Sequence, residues 1–161
     1  MDYVNDLAKT PRETEIIMNE LVLPNDTNVL GNLLGGTLMH WIDLAGAMAA
    51  IKHSRKTVAT VAVDSIDFRH PARMGEIVTL NAKLTWVGRT SMEALITAYA
   101  ENPKTGKTIL ANRAYFTFVA LDEDGKPTPV PPLRPETEEE KNEYCEAERR
   151  RLERLRKKGK L

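Results

Sequence analysis

One carboxylate stands in the least polar stretch of this chain. Asp43 lies within Thr37–His53, a segment that is otherwise small or apolar almost all round. Asp is a poor helix former and is costly to bury without partners. A carboxylate so placed can serve as a general base or as a nucleophile. It can equally be structural, bonding a neighbouring strand or facing a polar interface. At about 100° per residue, Asp43 points away from the bulky stripe of Leu38, Trp41, Ile42, Ala45 and Ala49. Its angular neighbours are Gly36, Gly46, Ala47 and Ala50, small residues that leave room for a ligand or another chain.

The second chemical feature is the loop Asn28–Gly36, which ends in Gly35-Gly36 directly before that segment. Glycines at a helix start leave backbone N–H groups unshielded, and the helix dipole turns them toward negative charge. Such groups suit the oxyanion of an acyl-transfer reaction, or a phosphate. The plain alternative is a tight turn that needs glycine for its backbone alone.

Other chemistries find little support. His40 precedes Asp43 by three residues, but no Ser-His-Asp arrangement can be drawn. His40, His53 and His70 read as surface or packing residues. No Cys/His spacing fits a metal, and neither a metal nor a separate cofactor is expected. Cys145 is the only cysteine, which suits a reducing compartment.

These groups need elements to hold them. Leu38, Trp41, Ile42, Ala45 and Ala49 predict a helix over Thr37–His53, and its lack of a polar face predicts burial. A first strand is expected within Glu13–Leu23. Thr57–Phe68, Ile77–Val87, Ser91–Glu101 and Thr108–Leu121 read as four further strands. Short connections imply antiparallel neighbours in a meander, hence an α+β domain with the sheet wrapped around one long helix.

Five prolines from Pro127 to Pro135 mark an extended linker. The tail beyond it predicts a charged helix, with Thr137 and Glu140 as a capping box. Acidic residues open this helix, and Arg149–Arg151, Arg154, Arg156, Lys157 and Lys158 close it, as the helix dipole favours. Its apolar stripe is thin, comprising Tyr144, Leu152 and Leu155, which predicts a solvated, weakly docked helix. The division is then an N-terminal extension (1–12), a folded domain (13–126), a linker (127–135) and a C-terminal helix (136–161).

With 161 residues the chain suits one domain with a real core. Basic and acidic residues balance at 23 each, which gives no reason to expect nucleic acid or membrane partners. The first residues, Met-Asp-Tyr-Val-Asn-Asp, lack the basic and apolar runs of a signal peptide. A soluble, cytoplasmic protein is the expectation.

The segment Leu-Pro-Asn-Asp-Thr-Asn-Val-Leu-Gly-Asn-Leu-Leu-Gly-Gly-Thr-Leu-Met-His-Trp-Ile-Asp, Leu23–Asp43, resembles the active-site region of the cytosolic acyl-CoA hydrolase family of hotdog-fold thioesterases. Thr60–Phe68 followed by Pro71, and Thr117–Asp122, resemble two strands of that family. The resemblance implies a hotdog fold and hydrolysis of fatty acyl-CoA to fatty acid and CoA. It implies edge-to-edge dimers, commonly three to a hexamer. The family's catalytic Asp falls on Asp43 and its catalytic Asn on Asn28, and the two would meet from different subunits. Gly35 and Gly36 would supply oxyanion N–H groups. For the CoA phosphates, Arg89, Thr90, Ser91 and Arg69 are candidates, with Arg55, Lys56 and Arg73 behind them. The alternative is a non-catalytic hotdog that binds acyl-CoA or a nucleotide as a regulator. A hotdog dehydratase fits less well, because no His is paired with the Asp in a hydratase motif.

Overall fold

Four of the five predicted strands form with the bounds their alternation dictates. The structure, a computed structural model, describes residues 7–160. The first six residues of the expected N-terminal extension, and Leu161, lie outside the described residues. The elements are β1 (Ile16–Leu21), α1 (Gly35–Ser54), β2 (Thr57–Phe68), β3 (Ile77–Val87), β4 (Ser91–Glu101), β5 (Thr108–Leu121) and α2 (Glu138–Lys157).

The first strand is shorter than expected. Pro11–Thr14 closes instead into a 3₁₀ turn, capped reciprocally by Thr10 and Glu13. Thr14 then stands in for a strand residue: its buried hydroxyl accepts a hydrogen bond from Leu84 N at 2.9 Å. A β3 amide just past the last β1 pairing partner is thereby satisfied.

The strand order is β1-β3-β4-β5-β2, antiparallel throughout. Only β3, β4 and β5 form the expected meander. Strand β2 lies at the far edge and pairs with β5, and the connection 69–76 carries the chain back across to β3. Adjacency in sequence fails here because both edges of the sheet must reach around one helix. The result is the hotdog arrangement: a curved antiparallel sheet holding α1.

Helix α1 buries Leu38, Trp41, Ile42, Ala45 and Ala49 against the sheet, as the stripe predicts. Each large side chain so buried contributes about 1.5–3 kcal/mol. The closest approach is at Gly46, where an added Cβ would stand 2.9 Å from the Phe118 ring and 3.1 Å from Ile96. Gly46 and Ala50 are buried, so their small size serves helix–sheet packing, not open space beside Asp43. Nor is the helix covered all round. Met39, Leu44, Met48 and Ile51 remain 38–45% exposed, because one sheet can enclose only one side of a helical cylinder.

The end of α1 is locked to the linker. His53 is fully buried, and its Nε2 donates to Pro131 O at 2.7 Å. Burial lowers the imidazole's pKa, against the pull of the Pro131 carbonyl. Lys9 Nζ donates to the terminal carbonyls of Lys52 and His53 at 2.8 and 2.9 Å. Val130 and Leu133 are buried, and Val130 N bonds Arg89 O. The proline-rich segment therefore lies along the domain and is not a free tether.

Helix α2 covers the other face of the sheet. Its Thr137–Glu140 capping box forms as predicted. Its docking is stronger than its thin apolar stripe suggests; Leu152 in fact points to solvent. Arg150 makes a two-pronged pair with Glu93, at 2.8 and 3.0 Å, and Glu93 is only 2% exposed on β4. Thr85 Oγ1 donates to the same carboxylate at 2.7 Å, and the guanidinium lies 3.8 Å from the Tyr115 ring centroid. Breaking one side of such a buried pair leaves an uncompensated charge. Arg150→Met is therefore expected to lower unfolding stability by about 3–5 kcal/mol in chemical denaturation. Adding Glu93→Leu is expected to return most of that loss; a double variant no better than the single one contradicts this account.

Candidate active site

The loop before α1 is built on Asn28. Its Oδ1 accepts hydrogen bonds from Leu30 N at 2.9 Å and Asn32 N at 3.2 Å. Its backbone carbonyl takes Gly31 N at 3.0 Å, and Gly31 has φ +78°, the left-handed region that glycine enters at no steric cost. Two backbone donors fix which end of the amide is oxygen. The Nδ2 end is then the free one, a donor. Leu34 N on Asp26 O, and Leu33 N on Ala72 O, tie the loop down at 2.8 and 2.7 Å.

Helix α1 starts at Gly35, two residues before the expected Thr37. Leu34, at φ −61° and ψ 134°, gives no side-chain cap. The first N–H groups of α1 thus carry the partial positive charge of a helix start with no side chain to take it up. Gly35 shares a cavity of about 270 Å³ with Asn28, Asn32, Leu38, Phe68, Arg69 and His70. An amide donor and a helix N-terminus together are what a carbonyl oxygen gaining negative charge requires. Roomier clefts, about 450 and 580 Å³, open beneath α2 and are lined by Arg113, Glu139 and Glu143. They contain none of the candidate residues, and volume alone does not make them the site.

Asp43 sits half-buried where α1 meets β2. Its Oδ1 accepts a hydrogen bond from Thr60 Oγ1 at 2.6 Å. Thr60 is the residue that reading the sequence for chemistry missed; a threonine in a β-branched run carries no signal of its own. Asp43 does not line the cavity that holds Asn28 and Gly35. The two candidate groups are therefore separate in a single chain.

The basic candidates separate. Arg69 lines the Asn28 cavity, and its Nε is paired with Asp67 at 2.7 Å. Arg89, Thr90 and Ser91 lie at the β3–β4 turn and do not line that cavity; nor do Arg55, Lys56 and Arg73. Of the histidines, His40 and His70 are exposed and His53 is buried in packing.

A family model described as Thioesterase superfamily matches residues 30–107. Over 129 residues the chain is 42% identical to an uncharacterized acyl-CoA thioester hydrolase of Bacillus subtilis, covering 80% of this chain and 75% of that one. The chain belongs to the thioesterase superfamily. Among solved structures, an apo-hexameric acyl-CoA thioesterase matches with a TM-score of 0.89 at 39% identity, covering 93% of this chain and 96% of that one. An acyl-CoA hydrolase of Staphylococcus aureus, in complex with butyryl-CoA, CoA and CoA disulfide, matches with a TM-score of 0.86 at 37% identity, covering 94% and 92%. That thioesterase has also been solved as Asp43→Ala, Asn28→Ala and Thr60→Ala variants. This chain carries the same residue types at the same numbers.

The loop geometry makes a prediction independent of activity. Asn28→Ala frees two backbone donors and is expected to cost about 1 kcal/mol of stability. Asn28→Asp keeps the acceptor and is expected to match the native thermal midpoint closely. Equal losses in both variants would contradict the assignment of Oδ1 to the loop.

Proposed function

We propose that the chain is an acyl-CoA thioester hydrolase, converting acyl-CoA and water to a free fatty acid and CoA. The observation that carries this reading is the pairing of two half-sites. One is a carboxylate held by Thr60; the other is an amide donor beside an uncapped helix start. The names of its thioesterase relatives point to the same substrate class.

Asp43 is the base or the nucleophile. Thr60 occupies Oδ1 and leaves Oδ2 for an incoming water or for the thioester carbonyl carbon. As a base, Asp43 takes a proton from water while the oxygen bonds to the acyl carbon. The carbonyl oxygen becomes an oxyanion, met by the N–H groups of Gly35 and Gly36. Asn28 Nδ2 donates to the water or to that oxygen. The C–S bond then breaks, and the sulfur leaves as thiolate and takes up a proton. The CoA phosphates are assigned to Arg69, at the cavity rim, and to the Arg89-Thr90-Ser91 turn.

The site is completed by a second copy of the chain. Asp43 does not line the cavity that holds Asn28 in one protomer. Leu44, Met48 and Ile51 leave an apolar face on α1, and β2 is a sheet edge. An edge-to-edge dimer would cover both and bring Asp43 of one chain to Asn28 of the other. Three such dimers would form a hexamer, the assembly stated for one thioesterase of similar structure. No helix of the described residues is long and apolar enough to cross a membrane. Cys145 is exposed and unpaired, which suits a reducing, cytoplasmic compartment.

In a thiol-release assay on acyl-CoA, Asp43→Asn is expected to lower kcat by at least about 10²-fold. Turnover near the native value in that variant would remove Asp43 from the chemistry. The oxyanion role is tested by Gly35→Pro. Proline suits the first helical position, and Leu34 already has the extended backbone that a following proline requires. The fold is expected to persist while kcat falls by about 10²–10³-fold, the usual cost of one lost oxyanion donor. An unchanged kcat in a folded variant would exclude the Gly35 N–H.

A further inference from the structure

Strand β2 does more than close the sheet, because it carries Thr60, the hydroxyl that holds Asp43. Thr60 pairs with Phe118 and Ile66 with Ala114, and both partners belong to the core beneath α1. Between them the register shifts twice, between Thr60 and Ala62 and again between Val63 and Ser65. Val61 and Asp64 are the extra residues, each a bulge. In a regular strand, residues 60, 62, 64 and 66 share one face. Asp64 would then point toward α1, on the same face as Thr60. The two bulges cancel each other by Ile66 but leave Asp64 aimed at the opposite face, where α2 lies.

There Asp64 meets Arg154, one turn beyond Arg150. Arg154 Nη1 donates to both carboxylate oxygens at 2.7 Å, and Thr117 Oγ1 is 3.4 Å from Oδ2. The two side chains are only 17% and 12% exposed. Arg150 on Glu93 fixes the helix one turn earlier, so α2 cannot slide to follow the strand. Without the guanidinium, a mostly buried carboxylate would lack its cation. The strand can relieve that by undoing a bulge. A one-residue slip exchanges the faces of every residue it reaches, and Thr60 lies next to the first bulge.

We propose that Arg154 is a positioning residue for thioester hydrolysis. By clamping Asp64 it fixes the bulged register of β2, which keeps Thr60 against Asp43. The inference rests on the reading of Asp43 as the catalytic carboxylate. It makes the C-terminal helix part of the catalytic framework without contact to substrate.

The test uses the full chain as native protein, Arg154→Ala, Arg154→Lys and the double variant Arg154→Ala/Asp64→Asn. Two readouts are taken: kcat and KM for acyl-CoA, and amide hydrogen exchange over residues 60–66. Arg154→Ala is expected to lower kcat about tenfold or more, as small misplacements do, with KM held within about twofold. Exchange over 60–66 is expected to quicken. Arg154→Lys restores the charge and is expected to recover part of kcat. The double variant removes the stranded charge and is expected to exceed Arg154→Ala in kcat. A native kcat in Arg154→Ala, or an Arg154→Ala loss that neither second variant relieves, would overturn the proposal. So would unchanged exchange over 60–66. If the native chain releases no thiol from any acyl-CoA, the functional reading fails by itself. Exchange over 60–66 then still decides whether Arg154 governs the strand.

Discussion

The hydrogen bond from Thr60 to Asp43 joins the two elements on which the candidate chemistry depends. Asp43 is placed by α1, and α1 is placed by close packing on the sheet at Gly46. Thr60 is placed by β2, an edge strand paired on one side only. A rigid helix and a strand with one open edge are thus tied at a single polar contact. Close packing tolerates little shift on the helix side. The register of β2 is therefore the variable that decides whether the carboxylate is held.

The rest of the molecule restrains that variable. Helix α2 grips the outer face through Arg150 on Glu93 and Arg154 on Asp64. The linker packs behind the end of α1 through His53 and Pro131. The other half of the proposed site, Asn28 with Gly35, is held separately by Asp26, Ala72 and the loop's own backbone. The two halves have independent supports, which suits a site assembled between chains. It also explains why α1 keeps four large apolar side chains exposed in a single protomer.

Much of this is legible in the sequence where local physics decides. The bounds of β2 to β5 follow from alternation and turn residues, and the α2 cap follows from Thr137 and Glu140. The Asp43 oddity is visible because nothing else in Thr37–His53 explains a carboxylate there. Other features depend on distant partners. The crossing of β2 to the far edge is invisible in a list of consecutive strands. Gly46 and Ala50 look like open space beside Asp43 until Phe118 and Ile96 are seen to fill it. Arg150 and Arg154 look like a solvated basic end because Glu93 and Asp64 lie more than fifty residues away in the chain. Thr60 and the two bulges of β2 leave no trace in composition or period.

The central claim is that the chain hydrolyses a thioester at a site shared between two protomers. Complementation tests it most directly: Asp43→Asn and Asn28→Asp chains, each inactive alone, are unfolded together, refolded as a mixture and assayed for thiol release from acyl-CoA. Random pairing puts both lesions in one site of each mixed dimer and leaves the other intact, so the account predicts about a quarter of native turnover. A mixture as inactive as its parents, beside an active native chain refolded in the same way, would contradict the shared site.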